Sequence, residues 1–237
     1  MTRRRVWLSP HRSGGRCWRR PPEAPILAPH QADHVQATSV SGEFSAELQP
    51  GDRAPAPGNL GLVQAFANTF WDLERGRPEL LRSPSALAAW LRRRGLLGPR
   101  VRLDESDLRR VLDAREGIRA LLFANSSLDP DRAAIARLNA ALSGASVVTR
   151  LDTGAPPAFL PADQGLDGAL ALIATSVAVA QLEGRFGRLK ACPGPQCGWA
   201  FYDHSRNLAG TWCSMSICGA RVKAHHYRQR RRRAQQA

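Results

Sequence analysis

The chain has 237 residues, a hydrophobic fraction of 43% and a formal net charge of +14. That apolar content excludes a wholly disordered protein and leaves room for one ordinary domain plus a small one. The charge is local: residues 188–237 hold ten of the 34 Lys/Arg and one of the 20 acids, a net +9, which suits an anionic polymer or surface as partner.

Residues 1–57 read as a disordered Pro/Arg-rich leader, or as a start placed too far upstream, because prolines and scattered arginines replace any apolar period. Arg16, Arg19 and Arg20 could make it a nucleic-acid-binding arm, and Cys17 has no cysteine near it. No apolar run follows Arg3-Arg4-Arg5, so there is no secretory signal. The most apolar window, Ala169 to Ala180, is shorter than the roughly 20 residues a bilayer needs. A cytoplasmic protein is expected.

Residues 58–187 predict a mainly α domain of five helices with a minor β-hairpin. Leu60, Val63, Phe66, Ala67, Phe70 and Trp71 recur at three and four and give the first helix an apolar face. Ser83-Pro84 supplies an N-cap and a proline at the first helical position, and Gly95 stops the helix that follows. Leu87, Trp90 and Leu91 are its buried stripe. A third helix over about Asp104 to Phe123 turns Leu108, Val111, Leu112, Ile118, Leu121 and Leu122 inward and keeps Arg109, Arg110, Glu116 and Arg119 off that stripe. Asp129-Pro130 opens a fourth helix. Ser146 to Leu151 could pair with Ala158 to Leu160 across a turn at Gly154-Pro156-Pro157. The helix over Leu166 to Phe186 is apolar nearly all round and is expected at the centre.

No histidine or cysteine occurs in residues 58–187, and its carboxylates mostly neighbour arginines, so no catalytic constellation is visible. Asn68 and Asp72, in an otherwise apolar helix, either bind a small ligand or make structural hydrogen bonds. The domain is expected to sense a signal or to dimerise. The ligand, if any, is not specified by the sequence.

Residues 188–233 carry the chemistry. Cys192-x4-Cys197 and Cys213-x4-Cys218 are two close pairs separated by fifteen residues. This is metal-ligand spacing rather than a disulfide framework, and it needs a reducing compartment. One structural Zn²⁺ takes four tetrahedral thiolates in this way; iron–sulfur ligation and free or oxidised thiols are the alternatives. Gly198 and Gly219 each follow a second ligand, and Trp199, Phe201 and Trp212 can line the site. So small a segment would draw most of its folding energy from the metal. Asp203, Ser205 and Asn207 are expected to tie down the loop between the pairs.

Seven Lys/Arg and no acid lie between Arg221 and Arg233. On a helix begun near Cys218, Arg221, His225, Arg228 and Arg232 form one face, with Lys223, Tyr227 and Arg230 on an adjoining strip. With Arg206 these are the expected DNA contacts, arginines on phosphates giving affinity and one or two base-edge contacts giving selectivity. A solvated basic tail is the bland reading.

Cys192-x4-Cys197-Gly-Trp-x-Phe-x-Asp-x-Ser-Arg-Asn207, followed by Trp212-Cys213-Ser-Met-x-x-Cys218-Gly219-x-Arg221-x-Lys223, resembles the CGNR zinc finger family. The upstream Asn68-Thr69, Leu87-Ala-Ala-Trp-Leu91 and Leu138-Asn139-Ala140 are similar to the ABATE domain that precedes that finger. The resemblance implies a bacterial stress-responsive transcription regulator, with zinc-dependent DNA binding and no enzyme activity. Where the family name has Asn, this chain has Ala220. RNA or a protein is the alternative partner of the finger. A metal-dependent nuclease using Asp203-His204 and Asn207 in the manner of HNH enzymes lacks a second acid or histidine at suitable spacing. Oxidation of the thiolates would make the finger a redox switch. A homodimer reading paired half-sites fits such a regulator.

Overall fold

A computed structural model describes residues 49–50, 53–70 and 79–236. Among the described residues there are six helices and two small antiparallel hairpins. Helix α1 (Leu60–Ala67) precedes α2 (Pro84–Arg92), α3 (Glu105–Ala124) and α4 (Arg132–Ala141). Strands β1 (Val147–Asp152) and β2 (Ala155–Pro161) pair, and α5 (Leu166–Leu182) closes the helical domain. A 3₁₀ turn, Phe186–Arg188, leads into β3 (Leu189–Ala191), which pairs with β4 (Ala200–Tyr202). A single π turn, Met215–Gly219, runs into α6 (Ala220–Gln236).

The helix starts follow side-chain chemistry. Ser83 Oγ accepts the Ala86 N–H, with Pro84 at the first position of α2. Asp104 accepts from Ser106 and Asp107 while the Asp107 carboxylate accepts the Asp104 N–H, a capping box that satisfies donors reciprocally at the start of α3. The fourth helix is capped by Asp131, which accepts from Ala134, and not by Asp129. Pro156 and Pro157 lie inside β2 rather than in the turn, Arg150 pairing with Ala158 and Asp152 with Ala155. Proline is tolerated there because β2 pairs on one side only, in a two-stranded sheet.

The most deeply packed helix is the short α1. Leu60, Leu62, Val63, Phe66 and Ala67 are all buried, since α3, α5 and β4 cover it on several sides. Helix α5, expected at the centre, packs on α1 and buries Leu170, Ile173 and Val177 in the same core, but it ends at Leu182, itself exposed, rather than near Phe186. Phe66 meets Trp90 of α2 with ring centroids 5.8 Å apart. A cleft of about 270 Å³ opens between α3, α4 and α5, over Leu121, Leu142, Ile173 and Val177. No charged side chain lines it, and neither does Asn68.

The β3–β4 hairpin belongs to two cores at once. Leu189, Ala191, Ala200 and Tyr202 pack into the main core, whereas Phe201 joins Trp199 and the cysteines in a second, smaller cluster. Alternation along a strand produces this split directly. The finger therefore shares the helical domain's core, and metal is not its sole source of folding energy.

Among the described residues no helix is long and apolar enough to cross a membrane.

Candidate metal centre and basic helix

The first cysteine pair sits on a hairpin whose two outer edges are held by side chains of the helical domain. At the β4 edge, Asn68 forms a two-bond clamp on Ala200. Its Oδ1 accepts the Ala200 N–H at 2.7 Å and its Nδ2 donates to the Ala200 carbonyl at 2.9 Å. Gln64 Nε2 donates to the same carbonyl at 3.1 Å. At the β3 end, Asn125 Nδ2 donates to Phe186 O at 2.9 Å and Leu189 O at 2.8 Å, and Ser126 Oγ to Ala191 O at 2.7 Å. Side chains thus occupy edges that would otherwise stay open. Of the two polar residues proposed as ligand-binding or core-polar, Asn68 is structural. Asp72 lies outside the described residues.

Arg119 adds a third tie. It is buried, and its guanidinium donates to Gly198 O at 2.5 Å, to Ala67 O at 2.6 Å and to Phe70 O. Glu116 pairs with both Arg119 at 2.9 Å and Arg115 at 2.8 Å, and Arg115 reaches Glu79 and Thr69. Burial works to raise the Glu116 carboxyl, but the two guanidiniums outweigh it and hold it below the usual range. The sequence pattern places Glu116 and Arg119 off the apolar stripe of α3. They are, yet the finger covers that side of the helix.

From this base the four thiols converge. Cys192, Cys197, Cys213 and Cys218 place their sulfurs within 4.8 Å of one another. Cys197 and Cys213 are 3.7 Å apart, and Cys213 and Cys218 3.6 Å. A disulfide needs about 2 Å, whereas tetrahedral thiolates 2.3 Å from a metal stand about 3.8 Å apart. The spacing fits a four-sulfur metal site. Contact with Cys197 pulls the Cys192 thiol down to about 2, while contact with Cys192 pushes Cys197 up to about 12. Contact with Cys192 also pushes Cys213 up, and burial pushes Cys218 up. One negative charge is accepted here and the next are resisted, which is what a divalent cation relieves.

Each knuckle has its own backbone frame. Cys197 N–H donates to Gly194 O at 2.9 Å and Gly198 N–H to Cys192 O at 3.2 Å. Gly198 sits at φ +63°, in the region glycine enters without strain. Gly219 is needed for space instead: a Cβ there would stand 2.9 Å from Met215 Sδ. In the second knuckle Cys218 N–H donates to Ser214 O at 3.0 Å, and Ser214 Oγ accepts from Ile217. Trp199 and Phe201 are buried beside the sulfurs, with Trp212 partly so.

Arg53, counted with the leader by the sequence reading, lies against this second knuckle. It donates to Cys213 O at 3.1 Å, Trp212 O at 3.0 Å and Tyr202 O at 3.3 Å, with its guanidinium 4.8 Å from the Phe201 ring centre. His204 Nε2 lies 3.2 Å from both Ala54 O and Pro55 O, and Ala56 N–H donates to Gln64 Oε1. Nothing in local spacing marks Arg53, because its partners are about 150 residues away.

The loop between the pairs is organised by Asp203. Its carboxylate accepts from Lys190 Nζ at 2.8 Å, Ser205 Oγ at 2.6 Å and Gly210 N at 2.8 Å. Lys190 also donates to Leu208 O and Gly210 O. Burial acts to raise the Asp203 carboxyl, and these donors hold it well below the usual range. Ser205 Oγ and Asn207 Oδ1 both accept the Ala209 N–H. Arg206 is exposed at the loop's outer side.

Beyond Val222 every residue of α6 whose side chain is described is exposed, including Lys223, His225, Tyr227, Arg228, Arg230 and Arg232, while Arg221 is half-buried. Among the described residues its one substantial neighbour is the π turn carrying Cys218. Arg221, Arg228 and Arg232 share one line along the helix, with His225 close to it. Lys223 and Arg230 fall roughly 180° around the axis, on the opposite side rather than an adjoining strip. Ala220 is exposed at the first position of the helix.

The comparisons with known proteins agree with this layout. The ABATE family, described as "Putative stress-induced transcription regulator", matches residues 60–183, more than half of the chain. The CGNR zinc finger matches residues 188–231. No curated protein matches the chain.

Proposed function

The chain belongs to the ABATE family, and on that premise we propose that it is a zinc-dependent, DNA-binding transcriptional regulator. The helical domain senses a signal or dimerises. The cysteine module holds one structural Zn²⁺ through Cys192, Cys197, Cys213 and Cys218, and α6 lies on DNA. Four cysteines leave no open position on a tetrahedral ion, so its role is a crosslink that fixes the start of α6, not catalysis. Such a protein works in the cytoplasm, where the thiols stay reduced.

The observation that carries this reading is α6 itself. It has seven Lys/Arg, no acid and an exposed surface along nearly its whole length, and it stands directly on the knuckle of Cys213 and Cys218. Arg221, Lys223, Arg228, Arg230 and Arg232 are the phosphate contacts, with His225, Tyr227 and Arg206 beside them. A nuclease is disfavoured because Asp203 is committed to Lys190, and His204 meets the Tyr202 ring edge-on, centroids 4.7 Å apart, with Nε2 near backbone carbonyls.

Competition between duplex DNA and structured RNA for the full chain tests the assignment. Duplex preferred, without strand cleavage in Mg²⁺, is the expected result. Preference for RNA, or cleavage abolished by His204→Ala, would overturn it.

A further inference from the structure

We infer that α6 occupies the major groove of duplex DNA with His225 and Gln229 on its base-reading face; this rests on the DNA-binding reading above. The argument is the distribution of charge around the helix. Arg221, Arg228 and Arg232 form one row, Lys223 and Arg230 form a second on the opposite side of the axis, and Arg231 and Arg233 stand between the rows, one on each side. A flat anionic surface reaches one such row and leaves the other in water. A groove walled by phosphates on both sides reaches both. A helix with its side chains is about 10–12 Å across, and the B-form major groove is about 12 Å wide. The corresponding groove of A-form RNA is deep and narrow and does not admit a helix.

Between the two rows lie two unlike faces. One carries Ala224, Tyr227, Arg231 and Ala234, with Arg231 over the Tyr227 ring at 6.0 Å. The other carries Arg233 together with His225, His226 and Gln229, three side chains that can both donate and accept hydrogen bonds. Gln229 Nε2 and His225 Nε2 are 2.9 Å apart one turn along the helix, so each orients the other. A glutamine amide pairs with both the N6 and N7 positions of adenine, which gives this face a stated target. All three side chains are exposed, so no rearrangement of the core is needed to present them.

The test is selection from a random duplex library with the metal-loaded full chain, its Gln229→Ala variant and its Arg230→Ala variant. The unsubstituted chain should enrich a motif containing adenine. Gln229→Ala should lose about tenfold of the preference at one or two of those positions while keeping the same salt slope. Arg230→Ala should weaken binding to all duplexes and reduce the salt slope by about one. An enriched motif that survives Gln229→Ala unchanged, or duplex binding with no sequence preference, would overturn the reading face while leaving DNA binding intact. Absence of any duplex binding would instead remove the function on which it rests. Gln229→Ala sits on an exposed helical face and exchanges the side chain for a strong helix former, so retained helicity and metal content serve as the folding check.

Discussion

The two cysteine pairs contribute two sulfurs each, but they are supported in opposite ways. Cys192 and Cys197 sit on a hairpin clamped by Asn68, Arg119, Asn125 and Ser126 from the helical domain. Cys213 and Cys218 sit under a helix that, among the described residues, meets little besides its own π turn, with Arg53 bracing the Cys213 side. Contacts from the helical domain therefore position the first half, and on the proposed zinc-binding reading a crosslink through the metal would position the second. A finger built this way can present a helix far from the core without losing its orientation.

Substitutions can break that contrast from either side. The largest effect should come from Arg119→Leu, which strips donors from Ala67 O, Phe70 O and Gly198 O and leaves Glu116 with one partner fewer. A loss of about 4 kcal/mol in urea unfolding is expected, the range for breaking a buried ion pair. Asp203→Asn should cost about 3 kcal/mol, because Lys190 Nζ then stays buried without its counter-charge. The pH dependence identifies the cause. A folded-state carboxyl held below its unfolded value stabilises fully above about pH 4 and progressively less as pH falls below that. The gap between the unsubstituted chain and Asp203→Asn should accordingly begin to narrow as pH falls through about 4 and go on narrowing below the range of an ordinary carboxylate, because the folded-state carboxyl titrates well under it.

Asn68→Ala removes both bonds to Ala200 and should cost about 2 kcal/mol, again on the clamped half. The smallest effect belongs to the other half. Arg53→Ala should speed metal release to a chelator about tenfold, as losses behind a metal's ligands typically do, with little change in the far-ultraviolet helical signal. Equal effects of Arg53→Ala and Asn68→Ala on metal release would erase the distinction between the halves.

Much of this was readable from local pattern. Cysteine spacing located the candidate metal site, Ser83 and Asp104 marked helix starts, and Asp203, Ser205 and Asn207 were expected together to tie down the loop. What escaped were pairings between residues distant in the chain. Asn68 meets Ala200 and Arg119 meets Gly198, and no period in either segment encodes the other. Arg119 has the sequence surroundings of a surface arginine; only the packing of the finger against α3 turns it into a core residue. Arg53 sits among prolines that suggest a tail, and its role exists only once Trp212 and Cys213 are folded beside it. On α6, the opposed placing of Lys223 and Arg230 follows from helical periodicity alone, and what the structure adds is the exposure of Lys223, Arg228, Arg230 and Arg232.

The central claim is that the metal fixes a free basic helix for use on DNA. Fluorescence anisotropy with a labelled duplex, read through a chelator titration and then Zn²⁺ re-addition, tests it most directly. Binding should fall steeply with salt, disappear with the chelator while the α1–α5 helical signal persists, and return with Zn²⁺. Duplex binding that continues unchanged after the metal is stripped would contradict the account.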